Sequence, residues 1–297
     1  MQKKRLYIIA SLLFLILCTA GLILYTTGQS DSNLTKTDSV PDESTESEWK
    51  ESAENETETE EENVEQEQRT FPELITEAVQ STVDFFTNQE THIVAIGDSL
   101  TQGVGDETEQ NGYVGILDRT INANQQIAQI DNYGKRGNRT DQLLLRLENN
   151  EIANDIRDSD IVLITIGAND IMKVAKDNIT DLVMEDFVFE RKGYEERMRQ
   201  IFDEIRRLNP NTEIYLIGFY NPFEQYFQDI KELDLIVETW NAAGKAITDD
   251  YDNVTYIPTE DLFKDSTEDL FSEDNFHPNY EGYYRIAERV LEYITIR

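Results

Sequence analysis

Five short apolar runs, each followed by an amphipathic segment, constrain this chain more than anything else in it. The runs are His92–Ile96, Ile127–Asn132, Ile161–Ile166, Glu213–Phe219 and Val254–Ile257. Helical spacing of apolar residues appears near Tyr113–Asn122, Thr140–Asn149, Tyr194–Leu208 and Ile230–Asp250, and again in a last segment near Tyr280–Ile294. Strand and helix signals that alternate in this way predict an α/β fold, with a parallel sheet sandwiched between helices. Ahead of the first run, Phe71 to Phe86 carries apolar residues at helical spacing and reads as a packed leading helix. There is no internal repeat.

The 297 residues leave room for one catalytic domain of ordinary size plus extensions. The amino terminus supplies one of these. Met1-Gln2-Lys3-Lys4-Arg5 precedes an uncharged stretch from Leu6 to about Tyr25, and roughly 20 apolar residues suffice to span a bilayer. With the basic cluster before the span and nothing basic until Lys36, the amino terminus is expected in the cytoplasm and the rest outside. Residues 1–27 are thus read as a transmembrane anchor at the cell membrane. The rival reading is a cleaved signal peptide and a secreted protein. The span is long for a signal peptide's apolar core, and no clean small-x-small site follows it. Lipoprotein processing at Cys18 is disfavoured because Leu17 stands where a small residue is expected.

Residues 28–70 form the second extension. The run Glu54-Asn55-Glu56-Thr57-Glu58-Thr59-Glu60-Glu61-Glu62 cannot bury enough apolar surface to offset the entropy of ordering, so the segment reads as a disordered acidic stalk. A flexible chain of that length reaches roughly 35 Å. Residues 71–297 are left as the catalytic domain. The net charge of −34 repels phosphate backbones and anionic headgroups, so nucleic acid is not an expected partner.

Only two histidines, His92 and His277, and one cysteine, Cys18, are present. A zinc site built from cysteines or a multi-histidine metal cluster is therefore not expected, and neither is a cofactor. Functional groups in open parallel sheets collect beyond the carboxyl ends of the strands. There the chain carries Gly97-Asp98-Ser99-Leu100, Asn132-Tyr133-Gly134-Lys135-Arg136-Gly137-Asn138 and Gly167-Ala168-Asn169-Asp170, with Asp274-Asn275-Phe276-His277-Pro278 before the last helix. A serine hydroxyl needs a neighbouring base, which His277 can be, and a carboxylate such as Asp274 can hold the other ring nitrogen. Donors facing an oxyanion can come from the Ser99 amide, a glycine amide after the second strand and the Asn169 side chain.

Gly97-Asp98-Ser99-Leu100 resembles the signature block of the GDSL, or SGNH, hydrolases. Gly167-Ala168-Asn169-Asp170 is similar to their third block, and Asp274-x-x-His277-Pro278 to their fifth. The resemblance runs from about Ile93 to the carboxyl terminus. It implies a three-layer α/β/α sandwich with a flavodoxin-like central sheet, and an activity among lipases, esterases, thioesterases and carbohydrate deacetylases. It further implies that Ser99 is nucleophile and oxyanion donor, Asn169 an oxyanion donor, His277 the base and Asp274 its orienting acid. In the second block, the glycine preceding a polar-Thr segment resembles the family's oxyanion glycine, which selects Gly137 with Gly134 as alternative. The Gly-x-Ser-x-Gly elbow of the α/β-hydrolases fails at Thr101.

Plainer readings stand beside these. Ser99 can cap a helix, and Asn169 can stabilise a turn. Asp98 and Asp170 are read as hydrogen-bonding residues of loops rather than metal ligands, and His92 as an edge or packing residue. The segment Phe219 to Phe227 lines an acyl pocket or packs the core. Asp249-Asp250-Tyr251-Asp252 lacks the glycine of a calcium loop and reads as a solvated helix end. Residues 171–193 form an insert whose Phe187, Val188 and Phe189 raise the idea of a lid. The expected function is extracytoplasmic ester hydrolysis on a small-molecule, lipid or other acylated substrate. An O-acetyl esterase of envelope polysaccharide and a non-catalytic binding module are the alternatives.

Overall fold

A computed structural model of the chain describes residues 91–295, except 179–180, 182, 223–230 and 265. The expected anchor (residues 1–27), the expected stalk (28–70) and the expected leading helix Phe71–Phe86 lie outside the described residues. Among the described residues no helix is long and apolar enough to cross a membrane.

Five strands form one sheet: β1 (Thr91–Gly97), β2 (Ala128–Gly134), β3 (Ile161–Thr165), β4 (Glu213–Ile217) and β5 (Val254–Ile257). Their order is β2-β1-β3-β4-β5 and every pairing is parallel. This is the flavodoxin-like order, whose topological switch point lies between β1 and β3. Gly97 is in register with Gly134 on one side and Thr165 on the other, so three strands end at one level.

Side-chain alternation sorts each strand between two cores. Val94, Ile96, Val162, Ile164, Ile214 and Leu216 face one cluster, which takes in Leu143, Ile156, Met198, Phe202 and Trp240 from helices α3 (Thr140–Arg146), α4 (Asn150–Asp158), α6 (Met184–Leu208) and α7 (Lys231–Thr248). Ile93, Ala95, Leu163, Tyr215, Ile217 and Ile257 face the other, formed with Leu117 of α2 (Gly112–Ile121) and Ile286 and Val290 of α9 (Tyr280–Thr295). Both faces are covered, which gives the three expected layers and explains why the central strands β1, β3 and β4 read as nearly continuous apolar runs.

The strands lie where the apolar runs put them, with shifts of one or two residues at most ends. Several helices differ. The single helix expected over Thr140–Asn149 ends at Arg146, because the Asn149 side chain accepts the Glu151 amide and caps α4 instead. Helix α6 begins ten residues before the expected Tyr194. The insert is helical: α5 (Ala168–Asp177) and the start of α6 occupy most of it, and Phe187 is buried in the first core while Phe189 is exposed. The short helices α1 (Ser99–Gln102) and α8 (Glu260–Phe263) carry too few residues to show a period in the sequence.

Candidate active site

The chain leaves β1 through a position that tolerates no side chain. Gly97 has φ +147°, and a Cβ there would lie 2.1 Å from the Thr165 carbonyl oxygen. That closeness lets the Asp98 amide donate to Thr165 O at 3.0 Å, which turns the chain into α1. Asp98, not Ser99, caps this helix: its Oδ1 accepts the Leu100 amide at 3.0 Å and the Thr165 hydroxyl at 3.0 Å. Burial pushes the Asp98 carboxyl up to about 7, against those two hydrogen bonds. Beneath it, the Thr165 hydroxyl meets Thr101 Oγ1 at 2.6 Å, and Thr101 meets the Tyr113 hydroxyl at 3.1 Å. Ser99 therefore stands as the first residue of α1, fixed from below and buried.

His277 approaches from the opposite side of the sheet ends. Its Nε2 lies 3.0 Å from Ser99 Oγ and its Nδ1 lies 2.6 Å from Asp274 Oδ2. With Asp274 ionised, Nδ1 carries the proton and Nε2 is free to accept from the serine hydroxyl. The other carboxylate oxygen, Asp274 Oδ1, accepts the His277 amide at 2.9 Å, the Phe276 amide at 3.0 Å and the Ser272 hydroxyl at 2.9 Å. Partial burial raises the Asp274 carboxyl, but the His277 side chain and these donors outweigh it and hold the group well below the usual carboxylate range. The turn is closed by the Ser272 amide on His277 O at 2.9 Å, with Asn275 at φ +53°. The Phe276 ring stands edge-on to the imidazole, 5.1 Å between centroids.

The remaining wall comes from the ends of β2 and β3. Gly137 has φ +77° and nothing within 4 Å of where a Cβ would be, so its backbone conformation, rather than crowding, favours glycine. Among the described residues neither the Gly137 amide nor the Ser99 amide has an acceptor. The Gly134 amide, the alternative donor, is spent on Asn132 Oδ1 at 2.8 Å. Asn169 Nδ2 donates to Asn138 O at 3.0 Å, and among the described residues its second side-chain N–H has no acceptor.

What joins the two loops is a set of residues that sequence reading did not assemble. Asp170 Oδ2 accepts the Thr140 amide at 3.0 Å, and Oδ1 accepts the Thr140 hydroxyl at 2.6 Å and Arg197 Nη2 at 3.0 Å. This buried carboxylate ties the start of α3 to the start of α5, as a loop-binding residue. Gln102 Oε1 accepts the Arg136 amide at 2.6 Å, and Ser272 braces Asp274. Ser272 lies only two residues from Asp274, but the Thr140 partner of Asp170 and the Arg136 partner of Gln102 lie 30 and 34 residues away and no local pattern pairs them.

His92 sits at the opposite end of β1, paired with Asp131 at 2.7 Å. Phe219 and Tyr220 are buried, one in each core, and the Tyr220 hydroxyl donates to Phe276 O at 2.9 Å; residues 223–227 of that aromatic segment lie outside the described residues. Among the described residues no group of three or more histidine, cysteine, aspartate or glutamate side chains is arranged to hold a metal ion.

A flavodoxin-like sheet with a hydrogen-bonded Ser–His–Asp chain at its switch point has the parts of an α/β/α hydrolase. The GDSL-like lipase/acylhydrolase family model matches residues 95–285, and the chain belongs to that family. It is 38% identical over 214 residues to the uncharacterized protein YpmR of Bacillus subtilis, covering 70% of this chain and 84% of that one. It is 25% identical to the spore germination lipase LipC of Bacillus licheniformis, covering 66% of this chain and 92% of that one. Among solved structures it resembles the lipase Lip_vut3 from a goat rumen metagenome (TM-score 0.59, 21% identity, 69% of this chain and 97% of that one). It also resembles a catalytic mutant of Axe2, an acetylxylan esterase from Geobacillus stearothermophilus (TM-score 0.54, 21% identity, 70% and 97%). These two likenesses are of fold. Family membership supports ester hydrolysis as the activity.

Proposed function

We propose that the protein is a serine ester hydrolase in which Ser99, His277 and Asp274 form the catalytic triad and an acyl-enzyme is the intermediate. The observation that carries this reading is the unbroken hydrogen-bond chain from Ser99 Oγ through His277 to Asp274. In the first step Ser99 Oγ attacks the ester carbonyl carbon while its proton passes to His277 Nε2. The carbonyl oxygen takes the electron pair and is held by the Ser99 and Gly137 amides and the second N–H of Asn169. Collapse of this tetrahedral species expels the alcohol, protonated by His277, and leaves the acyl group on Ser99. Water then attacks with His277 again as base, releasing the acid and restoring Ser99. Asp274, kept ionised by its four donors, holds the imidazole in the required tautomer throughout.

The reading places catalysis outside the cell. Its support is the Lys3-Lys4-Arg5 cluster before an apolar Leu6 to Tyr25 span, which makes residues 1–27 a single-pass anchor and 28–70 its spacer. An outward-facing tether also favours acetyl groups on envelope polysaccharide as one substrate class, beside lipid and small acyl esters. The test is hydrolysis of p-nitrophenyl acetate by the full chain in membranes, with Ser99→Ala as control. Turnover that disappears in Ser99→Ala, in protein that remains folded, supports the reading; retained turnover overturns it. Release of acetate from envelope glycans, against that from long-chain esters, decides between the substrate classes.

A further inference from the structure

We infer that Arg146 is a positioning residue for the proposed ester hydrolysis, its guanidinium holding the oxyanion-binding wall in place against the Ser99 segment. The inference rests on that reading of the site, and it goes beyond it to a residue outside the triad and its donors. Arg146 closes α3 and lies half-buried. Its Nη2 donates to Tyr133 O at 2.6 Å, and its Nη1 donates to Asn138 Oδ1 at 3.0 Å and, at a longer 3.4 Å, to Gly97 O. Each acceptor belongs to a different part of the site. Tyr133 is at the end of β2, Asn138 follows the Gly137 donor, and Gly97 leads into Asp98 and Ser99. Asn138 carries the link further, because its carbonyl accepts the Asn169 side chain at 3.0 Å. One guanidinium thus joins the ends of β1 and β2 and, through Asn138, the loop after β3.

The partners of Arg146 are all neutral, as are the four carbonyls that Arg206 meets, whereas several other arginines differ. Arg139, Arg197, Arg199, Arg285 and Arg289 all meet carboxylates. Arg146 meets two carbonyls and a side-chain amide oxygen, and among the described residues it has no ion pair. The chain carries 60 acidic residues against 26 basic ones, so a carboxylate partner was readily available in composition. Neutral acceptors satisfy the donors without cancelling the charge. The positive charge therefore remains beside the loops whose amides face the oxyanion, where partial burial weakens solvent screening. A planar fork of five donors can bridge three acceptors in fixed directions, which a lysine ammonium on a flexible stem cannot reproduce.

The experiment compares wild type, Arg146→Ala and Arg146→Lys on p-nitrophenyl acetate, with melting temperatures and with guanidinium chloride added at concentrations well below denaturing. Loss of oxyanion stabilisation predicts kcat lower by about a hundredfold in Arg146→Ala, with KM within about threefold of wild type. Added guanidinium should restore part of the kcat of Arg146→Ala and none of Ser99→Ala. Arg146→Lys keeps the charge but not the fork and should lose about tenfold. A folded Arg146→Ala with wild-type kcat, a loss confined to KM, or no restoration by guanidinium overturns the inference. If Arg146→Ala does not fold, Arg146→Lys decides: a lowered kcat at near-native melting temperature supports the inference, and wild-type kcat overturns it. Wild type without Ser99-dependent turnover would remove the esterase reading and this inference with it.

Discussion

Asp274 and His277 stand three residues apart on one turn, whereas Ser99, Gly137 and Asn169, the proposed oxyanion donors, follow the ends of three strands. The first region is built locally. Within Ser272 to His277, one carboxylate gathers the Ser272 hydroxyl, the Phe276 and His277 amides and the imidazole. Bringing these groups together closes only a short loop. The second region is built by contacts between distant segments: Asn169 on Asn138, Asp170 on Thr140, Arg136 on Gln102 and Arg146 on three acceptors. Its geometry depends on the sheet that brings the strand ends to one level. On the proposed reading, acid–base chemistry is thus encoded in a short segment, while oxyanion binding is a property of the fold.

Substitutions can break each region separately. The largest effect is expected from Asp274→Asn, which takes away the anion and favours the wrong imidazole tautomer. Losses of about 10⁴ in kcat are typical of such a change, and substrate-saturation kinetics should find them with KM little altered. A smaller but broader effect is expected from Asp170→Asn, which weakens the tie between α3 and α5. There kcat should fall about tenfold, the scale of a misplaced catalytic group, and the melting temperature should fall with it. A kcat loss far out of proportion to the stability loss in the first variant, and comparable losses of both in the second, sharpens the contrast between local and fold-dependent assembly. Losses of kcat that track stability equally in both variants would break it.

Asp98→Asn tests the floor of the site and should have the smallest effect, visible in stability. The folded-state carboxyl is pushed up to about 7 by burial, so between about pH 4 and 7 the native chain binds a proton that the unfolded chain has released. Stability contributed by this group is complete below about pH 4 and falls as pH rises through 7. The melting temperature of Asp98→Asn should therefore rise relative to wild type between pH 4 and pH 8, by a few degrees. A difference between the two proteins that stays constant over that range would contradict the protonated, buried carboxyl.

The sequence shows the central strands β1, β3 and β4 because burial on both faces leaves nearly uninterrupted apolar runs, whereas the edge strands β2 (Ala128-Gln129-Ile130-Asp131-Asn132-Tyr133-Gly134) and β5 (Val254-Thr255-Tyr256-Ile257) are more polar and partly exposed. It also shows the motif residues, since Asp98-Ser99 and Asp274-x-x-His277 are short-range patterns. It does not show the break at Leu147 to Asn149, where one polar cap competes with an otherwise continuous helical period. It prefers Gly137 to Gly134 only through the family resemblance. That the Asn132 side chain takes the Gly134 amide is a fact of three-dimensional placement. Thr140, Arg146, Thr165 and Arg197 were ordinary polar residues of helices and strand ends until the fold supplied their partners.

The central claim is that Ser99 is a nucleophile activated by His277, and covalent trapping tests it most directly. Full-length protein is treated with a fluorophosphonate probe, and the modified peptide is located by mass spectrometry. The account predicts one adduct, on Ser99, and none in Ser99→Ala or, on the same timescale, in His277→Ala. Absence of labelling in active protein, or equal labelling of Ser99→Ala at another residue, would contradict it.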